Sequence, residues 1–264
     1  MISVAIRSVG LMAPGLAGWQ SALPILRGET PYSAQALPPL KPDMLNPNER
    51  RRATPTIKLA LVVANDALQQ THRPRELLSV FASTQGDLDT INQICLALTR
   101  EERPVSPTQF HNSVHNAPAG YWSIATGYRQ ASTSIACLQG SFAAGLLEAA
   151  VQTEYEAKPV LLVCYDLPAP APLDQLIANH NHFATALLLV PTQQTCGEQL
   201  ATLSLETRAE PADTQLEDPQ LERVRNALPA ARALPLLQAL ARRETTRLCL
   251  PYLDQLGLCA EVTV

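Results

Sequence analysis

Cys137, Gln139 and Ser141 lie close together where one apolar run, Ser132 to Leu138, gives way to another, Phe142 to Val151. The first run reads as a short buried strand, with Ile135 and Cys137 on one side. The second is apolar at nearly every position, too rich for a surface helix, and predicts a helix buried all round. Between them Gln139-Gly140-Ser141 must turn the chain sharply. Such an elbow holds a side chain beside the free N–H groups of a helix N-terminus, which favour developing negative charge. Enzymes place a serine or cysteine nucleophile at that point. Here the residue is a glutamine, whose carboxamide has no titratable proton and cannot form a thioester. Cys137 is the neighbouring thiol, and a thiol inside a buried strand is inert. An ordinary polar residue at a helix start accounts for Gln139 equally well on these residues alone.

Other chemistry-bearing residues are scattered. The histidines are His72, His111, His115, His180 and His182. His180 and His182 flank Asn181 in a polar stretch with no third ligand in sequence reach, so they read as a solvent-exposed pair and no metal is assigned. Cys95, Cys137, Cys164, Cys196, Cys249 and Cys259 show no CxxC or ligand-like spacing. They read as buried reduced thiols rather than a disulfide framework. No cofactor is expected. The chain is 46% hydrophobic and 17% charged, which implies extensive burial in a core or against a partner. A net charge of -4 offers no basic footprint for nucleic acid. MISVAIRSVG lacks the charge and apolar run of a signal peptide, and no uninterrupted apolar stretch is long enough for a membrane span. A soluble, cytoplasmic chain is expected.

The elements that must position the elbow can be read in order. Ser3 to Leu11 is a first strand, and Gly18-Trp19-Gln20 opens a short helix. Residues 29 to 49 are a proline-rich loop, followed by the charge run Arg50-Arg51-Arg52. Thr56 to Gln70 is a helix with Pro55 at its start. Leu77 to Ser83 is a strand, and Leu88 to Leu98 a helix with Leu88, Ile91, Cys95 and Leu98 on one face. After the elbow helix, Pro159 to Tyr165 and Ala184 to Val190 are continuous apolar strands, the pattern of a sheet covered on both faces. Leu200 to Leu205 is a further strand. Pro229 and Pro235 must break a helical pattern over Leu221 to Arg243. Leu248 to Leu250 and Leu258 to Val264 close the chain as strands.

Three stretches together carry a family resemblance. Ser134-Ile135-Ala136 leading into Gln139-Gly140-Ser141 resembles the nucleophile elbow of the β-ketoacyl-ACP synthases of the thiolase-like superfamily. The segment SPTQFHNSVHNAPAGYWSIATG resembles their loop and small-residue helix under the nucleophile strand, with Asn116, Ala117, Ala119, Gly120, Ile124 and Gly127 at the matching positions. GLMAPGLAGWQSALPILRGE is similar to the synthase N-terminus. The resemblance places Gln139 at the nucleophile position, the mark of the chain-length factors that pair with an active synthase. It implies a thiolase-like half fold in the α/β class, with a mixed sheet of about five strands covered by helices on both faces and a buried central helix. Residues 1–195 would be the ketosynthase-like N-terminal half, and 196–264 a C-terminal extension of unclear family packed on the same domain.

The two catalytic histidines of a decarboxylating synthase come from the second half of the family fold, which this chain does not contain. The resemblance therefore implies a subunit that is no enzyme by itself and has no catalytic residue. Its partner would be a full-length β-ketoacyl-ACP synthase, with an acyl carrier protein engaged indirectly, in polyketide (aryl polyene-type) or fatty-acid-like elongation. A structural or acyl-carrier-binding scaffold is the alternative, and a malonyl decarboxylase using Gln139 a weaker one. In chain-length factors, side chains near the dimer interface close the acyl tunnel. The matching wall here is Thr84 to Leu98 with Ser106 to Asn116. Ile91, Ile94, Leu98, Phe110, Asn116, Ser134, Ala136 and Phe142 are the tunnel and interface candidates, though helix-face apolars usually just pack in the core.

Overall fold

Long apolar strands dominate the chain because their residues are buried on both faces. The computed structural model describes residues 1–177, 181–193, 199–209 and 211–264. Its strands are β1 (Ile2–Ala13), β2 (Leu16–Ala17), β3 (Leu78–Ala82), β4 (Ser132–Ile135), β5 (Val160–Asp166), β6 (Phe183–Pro191), β7 (Ala201–Ala209), β8 (Thr246–Leu253) and β9 (Leu256–Thr263). The helices are α1 (Trp19–Leu26), α2 (Pro47–Arg52), α3 (Pro55–Gln69), α4 (Leu88–Leu98), α5 (Pro107–Asn112), α6 (Ala117–Thr126), α7 (Ser141–Glu156), α8 (Pro219–Ala227) and α9 (Leu234–Arg242). As the prolines require, the helical pattern after residue 219 is broken: Pro229 precedes a 3-10 turn, and Pro235 sits in the first turn of α9, where its missing N–H costs nothing.

The strands form one mixed sheet in the order β4-β3-β5-β6-β1-β7-β9-β8, with β2 beside β1. Parallel pairing is confined to the β4-β3-β5 end, and the remaining ladders are antiparallel. The mixed α/β class follows expectation, but the sheet has nine strands among the described residues rather than about five. The difference arises because β7, β8 and β9 extend the same sheet past β1 instead of packing on it from outside.

Alternation along the strands sorts the core into two layers. Val160, Leu162 and Cys164 of β5 join α7, α9 and the C-terminal turn in one cluster, while Leu161, Val163 and Tyr165 join α3 and α6 in the other. Asp66 of α3 accepts hydrogen bonds from the backbone of Leu11 (3.1 Å) and Trp19 (3.2 Å), which pins β1 to the start of α1.

Helix α7 contacts β3, β5, β6 and β1 on one side and the Ala230–Ala233 turn and β8 on the other. It is not buried all round, as its composition predicts: Leu147 and Glu148 are half-buried and Val151 is exposed. Two sides of the helix are covered by the sheet and the C-terminal segments, and the third is open. Its approach to the sheet depends on Gly145, where a Cβ would lie 2.7 Å from Ala82 Cβ and 3.0 Å from Leu162 Cδ1.

The cysteines depart from expectation. Cys249 and Cys259 form a disulfide, because the β8–β9 register sets them directly opposite each other. Cys95 is exposed, Cys137 half-buried and Cys164 buried; Cys196 lies outside the described residues.

Gly145→Ala should therefore destabilise the fold, although alanine is worth about 1 kcal/mol more than glycine in an ordinary helix interior. Overpacking against the immovable Ala82 methyl costs about 1–3 kcal/mol. The net expectation is a lowered urea midpoint at unchanged slope. An unchanged or raised midpoint would show that α7 can retreat from the sheet.

Candidate functional site

The elbow is built by three residues that leave the sheet and one that starts a helix. Strand β4 stops at Ile135, not at Leu138, and is half-exposed rather than buried, since among the described residues it is the sheet's edge and pairs only with β3. Cys137 therefore lies outside the strand. Leu138–Gly140 forms a 3-10 turn that runs directly into α7. The left-handed residue is Leu138 (φ 44), one position before Gln139. Leu138 is 78% exposed, so its side chain gains nothing from burial that would offset that conformation.

Ser141 fastens the turn. Its hydroxyl donates to Leu138 O (2.8 Å) and accepts from the Cys137 backbone N–H (3.0 Å). Thr84 Oγ1, from the loop after β3, lies 3.0 Å from both Leu138 O and Ser141 Oγ. That loop is held by Asp166 at the end of β5, whose carboxylate accepts from Ser83 Oγ (3.3 Å), Thr84 N–H (3.0 Å) and Ala230 N–H (2.8 Å). Burial pushes the Asp166 carboxyl up to about 6, against the opposing pull of the Thr84, Ala230 and Ser83 hydrogen bonds. His115 contacts Ser83 O at 2.9 Å and so braces the same loop.

Facing the elbow is the tip of the β8–β9 hairpin. Cys137, Leu138, Gln139 and Gly140 form one side of an open cleft of about 1120 Å³, and Pro251 to Leu256 form the other. At the base of the cleft the two walls touch: a Cβ on Gly140 would fall 1.9 Å from Tyr252 O, and Cys137 Sγ is 3.8 Å from the same carbonyl. A partial negative charge from the chain itself thus stands near the positive end of α7. Gln139 is exposed at the cleft, a neutral donor and acceptor.

The other sequence candidates fall in different places. Ile91, Leu98 and Phe110 are exposed, Phe110 by 68%, so core packing does not account for them; Ile94 is half-buried. Asn116 is exposed at the start of α6 without capping it through its side chain. Ser134 is half-buried with an unpartnered hydroxyl, Ala136 is exposed, and Phe142 is fully buried in the core. None of the first four lines the elbow cleft. His182 is half-buried rather than solvent-exposed, and desolvation lowers its pKa; His180 lies outside the described residues. His182 lines a second cavity of about 280 Å³ with Asp87, Asp89 and Asp166. The hairpin tip escaped sequence reasoning, although Leu253-Asp254-Gln255-Leu256-Gly257 carries turn residues. So did Asp166, for which the acid ending a fully apolar strand was the available signal.

The β-ketoacyl synthase N-terminal domain family matches residues 26–250. No curated protein matches the sequence. Among solved structures, a chain of the ketosynthase (ApeO) in complex with its chain length factor (ApeC) from Xenorhabdus doucetiae is similar at TM-score 0.75 and 21% identity. That match covers 99% of this chain and 100% of the other. The ishigamide ketosynthase/chain length factor gives TM-score 0.77 at 13% identity, covering 100% and 99%. A chain of the AntDE:AntF assembly, a type II PKS acyl-carrier protein in complex with its ketosynthase bound to the hexaketide, gives TM-score 0.78 at 11% identity, covering 99% of each. These likenesses carry the thiolase-like fold.

The Asp166 environment sets a pH dependence. The folded chain keeps this proton in a window where the unfolded chain, with an ordinary carboxyl near 3.8, has released it. The associated stability is present below about pH 4 and is lost as pH rises toward 6, by an amount on the order of 3 kcal/mol at most. Asp66, also raised by burial, contributes in the same sense. Denaturant unfolding between pH 4 and 7 should show the decline, and Asp166→Asn should flatten it. An equal slope in the variant would place the titration elsewhere.

Proposed function

Because the chain belongs to the β-ketoacyl synthase N-terminal domain family, we propose that it is a non-catalytic, chain-length-factor-like subunit of a β-ketoacyl-ACP synthase. In this reading it pairs with a full-length synthase and bounds the tunnel that receives an acyl chain growing on an acyl carrier protein, in polyketide elongation of the aryl polyene type or a fatty-acid-like counterpart. Gln139 takes the nucleophile's place and removes the covalent step. Residues 1–195 supply the ketosynthase-like half, and the segment from 196 supplies β7 to β9 and the far wall of the elbow cleft.

One observation carries the reading: the sheet ends on an open strand in apolar surroundings. Among the described residues strand β4 is paired on its β3 side alone, and Leu98, Phe110, Ile124 and Leu138 are exposed on the elements between β3 and α7. An uncovered edge with apolar neighbours invites another sheet. The likeness to chains from ketosynthase/chain length factor complexes supports a synthase as the occupant.

Two outcomes follow. Alone, the chain should express poorly or aggregate, and co-expression with a full-length synthase should yield a heterodimer by size exclusion. A monodisperse monomer with no affinity for any synthase would overturn the reading. Within the heterodimer, alanine at Ile91, Ile94, Leu98 or Phe110 should lengthen the products measured by mass spectrometry. At the exposed positions truncation costs within about 0.5 kcal/mol, so heterodimer yield should hold. Unchanged length in all four variants would remove this wall and leave a scaffolding role.

A further inference from the structure

The hairpin that walls the elbow cleft is secured in an uneven way. Its base is an ordinary ladder from Thr246↔Val262 to Leu250↔Leu258, but the register shifts between Pro251 and Leu253. Pro251 has no N–H to give, and a bulge leaves a residue unpaired. Cys249–Cys259 is therefore the last covalent tie before the tip, two positions from Pro251, and Tyr252 follows directly with its carbonyl against Gly140 and Cys137. Leu248, Leu250, Leu258 and Ala260 face the core, so alternation turns the disulfide to the opposite face. There Cys249 is half-buried under Thr214, which bonds its backbone N–H and C=O at 2.9 Å each. Cys259 is buried beneath a surface depression lined by Arg208, Arg247, Glu206 and Glu261, so a small thiol meets the disulfide from the half-buried Cys249 side.

The geometry points to a redox lock: the Cys249–Cys259 disulfide holds the hairpin tip against the elbow, and its reduction frees the tip and uncovers Cys137. In the exchange, one thiolate of an external dithiol attacks a cystine sulfur and the S–S bond breaks, giving a mixed disulfide and one protein thiolate. The second thiol of the reagent resolves the mixed disulfide. The dithiol leaves as its cyclic disulfide, and Cys249 and Cys259 remain as thiols. This inference is independent of any partner, since every contact in it lies within one chain.

The chain carries its own reporters, because Cys95 is exposed, Cys137 touches the hairpin, and Cys164 is buried in β5. The full-length chain, oxidised or reduced with dithiothreitol and desalted, is pulsed with iodoacetamide, and each cysteine peptide is quantified by mass spectrometry. Expected is a Cys137 labelling rate about tenfold higher after reduction, with Cys95 unchanged and Cys164 silent. The double variant Cys249→Ser, Cys259→Ser should label at the fast rate without reductant. Equal Cys137 rates in the oxidised, reduced and double-variant forms would overturn the lock. So would an intact mass showing no disulfide in the native chain. A parallel rise at Cys164 would overturn it too, by showing that reduction melts the sheet rather than releasing the hairpin.

Discussion

The depth at which α7 is held governs the rest of the molecule. A helix this poor in large side chains on its buried faces can approach a sheet closely, and Gly145 takes that approach to the limit against Ala82 and Leu162. At its other end Gly140 admits the backbone of Tyr252. Two missing side chains thus set two walls. One lets the central strands close on the helix, and the other lets the C-terminal hairpin reach the turn that precedes it.

The same closeness explains why the polar atoms near the elbow are linked. Asp166, Ser83, Thr84 and Ser141 form a chain of hydrogen bonds from the end of β5 to the Cys137 backbone. Buried polar groups are costly unless they are satisfied, so once α7 is this deep its first turn needs partners from the neighbouring loop. Asp166 also binds Ala230, which brings the C-terminal turn into the same set of constraints. All its hydrogen-bond donors here are neutral, and for that reason desolvation prevails and its proton is held more tightly than usual.

Much of this architecture is legible in the sequence, and the failures have common causes. Continuous apolar runs such as Pro159 to Tyr165 and Ala184 to Val190 announce strands covered on both faces, and the prolines at 55, 229 and 235 mark helix starts and breaks where they occur. Periodicity reports burial along one element, not which element lies beside it. It therefore could not show that β1 sits in mid-sheet, that β7 to β9 extend that sheet, or that β4 is left at its edge. The same limit hid the disulfide, since Cys249 and Cys259 meet only through the hairpin register. At the elbow, the turn from strand to helix was readable from composition. The strained residue was not, because Leu138 has none of the features that favour a left-handed backbone.

The position of β1 has a consequence for how the chain comes into being. Apart from the two-residue β2 at its C-terminal end, its neighbours are β6 and β7, so most of the first strand to leave the ribosome waits for residues 183–191 and 201–209 before it is paired. At about 5–20 residues per second, that delay is on the order of ten to forty seconds. Through it, the apolar side chains of Val4, Ile6, Val9 and Leu11 have only the early helices to shelter them. Sheets assembled from such distant segments fold late and expose aggregation-prone surface on the way. A strand that ends up in mid-sheet is thus among those most in need of a chaperone during translation.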